Sequence, residues 1–179
     1  GICVVPTAGF IGSAHKNGVP VTATLLFRWG PDTTGGLRLE ELGKFVQKDE
    51  NGNYPVADKM VEIARYYGFD GYFFNQETYG STAEVASELV NMMKYVKKKY
   101  PDIIFHWYDS MAKDGSVSYQ DAANDKTKLW IETDEDGLYA VDEFLTNYNW
   151  GGDHSITTYP THPDNTDTIP HKHEATIHS

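Results

Sequence analysis

Cysteine is almost missing from this 179-residue chain. Cys3 stands alone, so no internal disulfide can form and the redox compartment is left open. Positive charge is scarce as well: Lys and Arg total 15 against 26 Asp and Glu, a net charge of −11. Such a surface argues against a nucleic-acid partner, which needs a basic face for phosphate. No apolar run approaches the ~18 residues of a membrane-spanning helix. No Gly-rich phosphate loop follows any predicted strand, which weakens a nucleotide-binding reading. No export leader opens the chain. Gly1-Ile2-Cys3-Val4-Val5 reads like the inside of a domain. A segment of a longer protein is therefore expected, and the missing leader carries no information about location.

What is present is an ordinary globular composition, 40% hydrophobic and 23% charged, with 12 Tyr, 8 Phe and 4 Trp. Aromatics in that number serve a large core or the stacking surfaces of a sugar cleft, and composition does not separate the two. Short apolar runs alternate with helical patterns. Strands are predicted at Ile2 to Val5, Val19 to Phe27, Tyr72 to Asn75, Ile103 to Tyr108, Leu129 to Ile131 and Phe144 to Tyr148. The run Val19 to Phe27 is nearly continuously apolar, as in a parallel sheet buried on both faces. A helix ends at Gly18, and a short one is expected at Glu40 to Val46. Val56, Met60, Ile63, Ala64 and Tyr67 recur at helical spacing, and Gly68 closes that helix. Ser81-Thr82-Ala83-Glu84 reads as a capping box for a helix that stops at Pro101. The basic run Lys97-Lys98-Lys99 falls in its last turn, where it complements the helix dipole.

Strand–helix–strand repetition predicts a parallel α/β domain, and both a doubly wound sheet and a (β/α) barrel fit it. Residues 151–179 differ. They hold five of the seven histidines, three prolines and no apolar periodicity, and are expected to be an irregular polar segment. His171, His173 and His178 there lack the spacing of a closed metal site, so no metal and no cofactor are expected.

The feature that carries chemistry is the run Gly68 to Thr78, an apolar strand with a polar end. Alternate strand residues share a face, so Phe73, Asn75 and Glu77 point one way. A single Asn-x-Glu is also what an ordinary solvent-facing strand end looks like. Other strands finish alike: Phe27-Arg28-Trp29-Gly30, then Trp107-Tyr108-Asp109-Ser110, then Phe144 to Trp150. Trp107 and Asp109 either line a cleft or, for Trp107, pack the wall behind it. Several strands ending in aromatic and amide groups describe a cleft with stacking surfaces and neutral hydrogen-bonding groups, which suits carbohydrate better than phosphate.

These stretches resemble a known family. Residues 54–78 (YPVADKMVEIARYYGFDGYFFNQET), 103–120 (IIFHWYDSMAKDGSVSYQ), 144–150 (FLTNYNW) and 4–30 (VVPTAGFIGSAHKNGVPVTATLLFRWG) are similar, in order, to glycoside hydrolase family 85. The resemblance implies a TIM-type (β/α)8 barrel, with residues 1–150 forming part of it and the remaining barrel segments expected from the same protein. It implies an endo-β-N-acetylglucosaminidase that cuts the GlcNAc-β1,4-GlcNAc core of N-linked glycans on glycoproteins. The mechanism is retaining and substrate-assisted: the sugar's own 2-acetamido oxygen attacks the anomeric carbon. By the same resemblance Glu77 is the acid/base, Asn75 orients the acetamide and Tyr108 contacts it. Tyr119 falls where the family often has Trp; it and Trp150 flank the acceptor sugar. Trp29, Asp109, Gln120 and Asn147 complete the expected substrate contacts. Location follows source: secreted or cell-surface in a bacterium, cytoplasmic in a eukaryote. Two other readings stay open. One is a chitinase-like glycosidase, although Asp70 lies too far before Glu77 for that family's acidic series. The other is a non-catalytic carbohydrate-binding barrel.

Overall fold

The computed structural model describes residues 2–31, 33, 35–147 and the backbone of strand 176–178. The elements run β1 (Ile2–Val4), α1 (Ala8–Lys16), β2 (Thr22–Gly30), α2 (Leu37–Phe45), α3 (Pro55–Tyr67), β3 (Gly71–Thr78), α4 (Ala83–Lys99), β4 (Ile104–Tyr108), α5 (Lys128–Ile131), β5 (Glu143–Leu145) and β6 (Thr176–His178). The six strands lie in one sheet in sequence order. Neighbours from β2 to β6 pair in parallel. β1 pairs with β2 antiparallel, so the sheet is mixed where the sequence predicted it all parallel. An edge strand has one neighbour only, and an antiparallel strand at the edge of a parallel sheet is a common arrangement. β6 lies inside the stretch read as irregular; its β-branched Thr176 and Ile177 suit a strand.

Helix α3 shows why these residues fold this way. Pro55 opens it, Gly68 at φ 81° ends it, and Ala57, Met60, Val61 and Ala64 form its buried stripe. In α4 the buried stripe is Ala86, Leu89, Val90, Met92, Met93 and Val96. Both stripes belong to one core with Ala23, Leu25 and Phe27 of β2, Tyr72 and Phe74 of β3, Phe105 and Trp107 of β4 and Phe144 of β5. Phe74 meets Phe105 edge-on at 5.3 Å, and Phe27 meets Phe45 edge-on at 5.1 Å. The Tyr72 hydroxyl donates to the Met60 carbonyl at 2.7 Å and ties β3 to α3. The opposite face of β3, with Phe73, Asn75 and Glu77, is only half-buried.

Three local expectations change. Leu129 to Ile131, predicted as a strand, is the short helix α5. An apolar run of three carries no period to decide the matter. Tertiary packing decides it: the Trp130 ring stacks on Trp107 at 3.7 Å and its indole N–H donates to the Met111 carbonyl at 3.0 Å. The N-cap of α4 is Thr82 and not Ser81; the Thr82 hydroxyl accepts from the Val85 N–H, and the Ser81 hydroxyl is buried without a partner. The lysine run also does more than face the dipole. Lys97 is buried, donates to the Ile103 carbonyl at 2.6 Å and pairs with Asp142; burial holds its pKa below the usual lysine value.

Gly71 opens the strand that carries the site, where a Cβ would sit 1.8 Å from the Ile104 carbonyl oxygen. That contact is backbone, so only a shift of the β3–β4 pairing relieves it. Gly71→Ala is expected to lower unfolding free energy by about 3 kcal/mol or more, read as a shift of the urea midpoint. An unchanged midpoint rules out the close strand approach.

Candidate active site

β3 enters the sheet between β2 and β4, with Phe74 paired to Leu25 on one side and Trp107 on the other. Its alternation is strict. Tyr72, Phe74, Gln76 and Thr78 are buried on the helix side, while Phe73, Asn75 and Glu77 are half-buried on the other. The latter three, with Tyr108 of β4, line one cavity of about 120 Å³. That is below the ~300–1,000 Å³ of a typical small-molecule pocket, so it takes one functional group of a ligand and not the whole ligand.

Each side chain of the cavity has a distinct hydrogen-bonding state. The Asn75 amide oxygen is buried with no partner. An unmet buried acceptor costs about 1–3 kcal/mol, which a donor from a ligand removes. Glu77 accepts a hydrogen bond from the Tyr119 hydroxyl at 2.6 Å. Burial, then that contact with Glu77, pushes the Tyr119 phenol well above its ordinary pKa, so it remains a proton donor. The Tyr108 hydroxyl donates to the Asn147 side-chain oxygen at 2.6 Å, and both residues are 6% exposed. Phe73 and Tyr108 lie with ring centres 6.4 Å apart, and Tyr119 lies 6.0 Å from Tyr108.

The strand ends are fixed from the helix side. Gln76 and Thr78 exchange side-chain and backbone hydrogen bonds at 3.0 and 3.1 Å. The Ser110 hydroxyl donates to the Gln76 carbonyl at 2.6 Å, and the Thr78 hydroxyl to the Arg28 carbonyl at 2.7 Å. Gln76 and Ser110 were not singled out in the sequence. Gln76 has the wrong parity for the cleft, and no spacing pattern marks Ser110.

The remaining expected contacts sit elsewhere. Trp29 lies within a register shift between Phe27 and Gly30, is 65% exposed and meets Tyr79 edge-on at 6.0 Å. It does not line the cavity. Asp109 is fully buried and accepts from the Gln120 and Asp121 backbone N–H groups. The Gln120 amide is engaged with Ser118 and Asn124. Neither Asp109 nor Gln120 is among the cavity's lining residues. Trp150 and the tail histidine side chains lie outside the described residues. Among the described residues no group of three or more His, Cys, Asp and Glu is placed to hold a metal ion. Among them, too, no helix is long and apolar enough to cross a membrane.

A mostly parallel sheet with a carboxyl, an amide and phenols gathered where adjacent strands end defines an α/β protein of the strand-end-site class. The chain belongs to glycosyl hydrolase family 85, whose sequence profile matches residues 1–170. It is 31% identical over 153 residues to the mouse cytosolic endo-beta-N-acetylglucosaminidase and 30% identical over 154 residues to the human one. Each match covers 84% of this chain and 19% of the relative, so the chain spans about a fifth of their length. The fold is similar to the glycoside hydrolase domain of Endo-D from Streptococcus pneumoniae R6. That match has a TM-score of 0.75 at 33% identity, over 82% of this chain and 23% of the other.

Burial pushes the Asp109 carboxyl up to about 7, against the opposing pull of the Gln120 and Asp121 N–H groups. Unfolded, the same group titrates near ~3.9. The native state thus keeps a proton that the unfolded chain releases. The resulting stability is complete below about 4 and is lost as pH rises through about 7. The melting temperature of the wild type is expected to fall more between about pH 3.5 and about pH 8, an interval that spans both values, than that of Asp109→Asn. Parallel pH curves contradict the assignment.

Proposed function

We propose that this chain carries the reacting centre of an endo-β-N-acetylglucosaminidase that cleaves the GlcNAc-β1,4-GlcNAc core of N-linked glycans. The reading extends the family membership to a (β/α)8 barrel, to which residues 1–150 and strand β6 contribute. The observation that carries the reading is the unpartnered, buried amide oxygen of Asn75 in the same small cavity as Glu77. A 2-acetamido group brings one N–H to such an oxygen, and its size matches a cavity of about 120 Å³ better than a whole sugar ring does.

The carboxyl count supports the substrate-assisted route. A retaining glycosidase with its own nucleophile uses two carboxyls ~5 Å apart. Glu77 is the one carboxyl among the lining residues Phe73, Asn75, Glu77 and Tyr108. In the first step Glu77 gives its proton to the glycosidic oxygen, the bond to the anomeric carbon breaks, and the acetamido oxygen bonds to that carbon. Asn75 holds the acetamido N–H, which grows more acidic as the oxazolinium ring forms. Water then adds to the anomeric carbon, its proton goes to Glu77, and the ring opens with retention. Tyr108, oriented by Asn147, presents its ring and hydroxyl to the acetamido group. In this reading the relatives' cytosolic naming carries over to a eukaryotic source, and a bacterial source implies the exterior.

The test is digestion of an N-glycoprotein by the intact protein, followed by mass spectrometry. A single GlcNAc left on Asn is the expected product; a bare Asp or an intact glycan overturns the reading. Glu77→Gln is expected to lower kcat by about 10²–10⁴-fold, and Asn75→Ala by on the order of 10²-fold. Undiminished hydrolysis by Glu77→Gln removes Glu77 from the chemistry. Glycan binding without cleavage by the wild type favours the non-catalytic barrel.

A further inference from the structure

The residue just past the end of β4 carries a carboxyl that does not line the cavity. Asp109 is fully buried, yet all its described partners are backbone N–H groups. The Gln120 N–H donates to it at 3.0 and 3.2 Å, and the Asp121 N–H at 2.6 Å. The backbone N–H of Asn147 is a third donor. One buried side chain thus joins β4, the 118–121 loop and the end of β5.

The loop reaches it by folding back. Met111 bridges Val117 antiparallel, the Ala112 N–H donates to the Ser116 carbonyl at 2.8 Å, and the Ser118 N–H to the Ser110 carbonyl at 2.7 Å. Asp121 then adopts φ 55°, the left-handed region that a non-glycine residue enters at a cost of roughly 1–2 kcal/mol. Its N–H lies closer to the Asp109 carboxyl than the Gln120 N–H does. Gln120 is fixed twice more, its amide nitrogen on Ser118 at 2.8 and 2.9 Å and its amide oxygen on Asn124 at 3.1 Å. Tyr119 lies between these anchored residues, and its hydroxyl falls 2.6 Å from Glu77. That bond occupies Oε1 of Glu77 and leaves the other oxygen for proton transfer. Flexible loops set such contacts poorly; a buried anchor sets them reproducibly.

We propose that Asp109 is a positioning residue for Glu77: through the backbone of Gln120 and Asp121 it seats the Tyr119 hydroxyl on the Glu77 carboxyl and so fixes the rotamer from which Glu77 transfers its proton. Asp109 acts without touching substrate, in contrast to the substrate contact expected from sequence. Asn at the same position keeps the shape but turns one acceptor oxygen into a donor facing the loop N–H groups. The proposal rests on the reading of Glu77 as the acid/base.

The test is a double-mutant cycle on hydrolysis of an N-glycopeptide by the intact protein, comparing Asp109→Asn, Tyr119→Phe and the pair. Each single variant is expected to lower kcat by about tenfold, the value of one charge-assisted hydrogen bond, with KM changed by less than about threefold. Because both act through one contact, the double variant should lose no more than about twofold beyond the worse single one. Losses that multiply, or an unchanged kcat in either single variant, overturn the proposal. Should Asp109→Asn fail to fold, Asp109→Ser, which retains an acceptor oxygen, enters the same cycle under the same criteria. An inactive wild type overturns the activity reading and this proposal together. An active wild type with multiplicative losses overturns this proposal alone.

Discussion

Strand β3 sits between two parallel neighbours, and its two-residue period leaves no freedom in where its side chains point. Tyr72, Phe74 and Gln76 must enter the helix-covered core, because a slip of one residue would bury Asn75 and Glu77 under α3 and α4. The apolar half of the strand therefore fixes the polar half. Gly71 tightens the constraint, since its missing Cβ lets β4 approach at Ile104. Everything assembled at the strand ends, from Tyr108 to the 118–121 loop, is placed relative to this register.

Around that register the molecule divides its polar groups into two kinds. On the helix side Gln76 is held by Thr78 and Ser110, Thr78 by Arg28 and Asp109 by the loop backbone, while the Trp107 indole N–H is buried without a partner. On the cavity side Asn75 keeps a buried acceptor with no partner. Natural folds tolerate few such atoms. One that lies beside a carboxyl in a small cavity is a place where folding energy has been left to be met by a ligand. The two phenols enforce the contrast, because each has a fixed partner, Asn147 for Tyr108 and Glu77 for Tyr119.

The grouping of the four residues that line the cavity was legible in advance. Parity alone placed Phe73, Asn75 and Glu77 together, because a strand has one period and two faces. The ordered likeness of four segments to one family added Tyr108, which no spacing rule connects to Glu77. Other expectations failed where the information is not local. Leu129 to Ile131 became a helix because Trp130 stacks on Trp107, a contact between residues 23 positions apart in the chain. The capping-box spacing of Ser81 to Glu84 favours Ser81 in sequence, and only the path of the chain selects Thr82. Asp109 looked like a cleft residue because it follows a strand end, and Gln120 because it adjoins Tyr119 in the stretch that resembles the family. Parity carries Asp109 to the face opposite Tyr108, and the Gln120 amide is taken up by Ser118 and Asn124.

The sequence by itself determined the alternation of β3, the helices with their buried stripes and the chemical types at the strand ends, all consequences of periodicity within one segment. Tertiary structure alone decided the mixed direction of the edge strand, the helical turn at Trp130 and the pairing of Tyr119 with Glu77. That last contact joins residues 42 positions apart. Beside it the buried Asp109 carboxyl accepts backbone N–H groups of a folded-back loop, and no period in the sequence encodes the meeting of a side chain with a distant backbone.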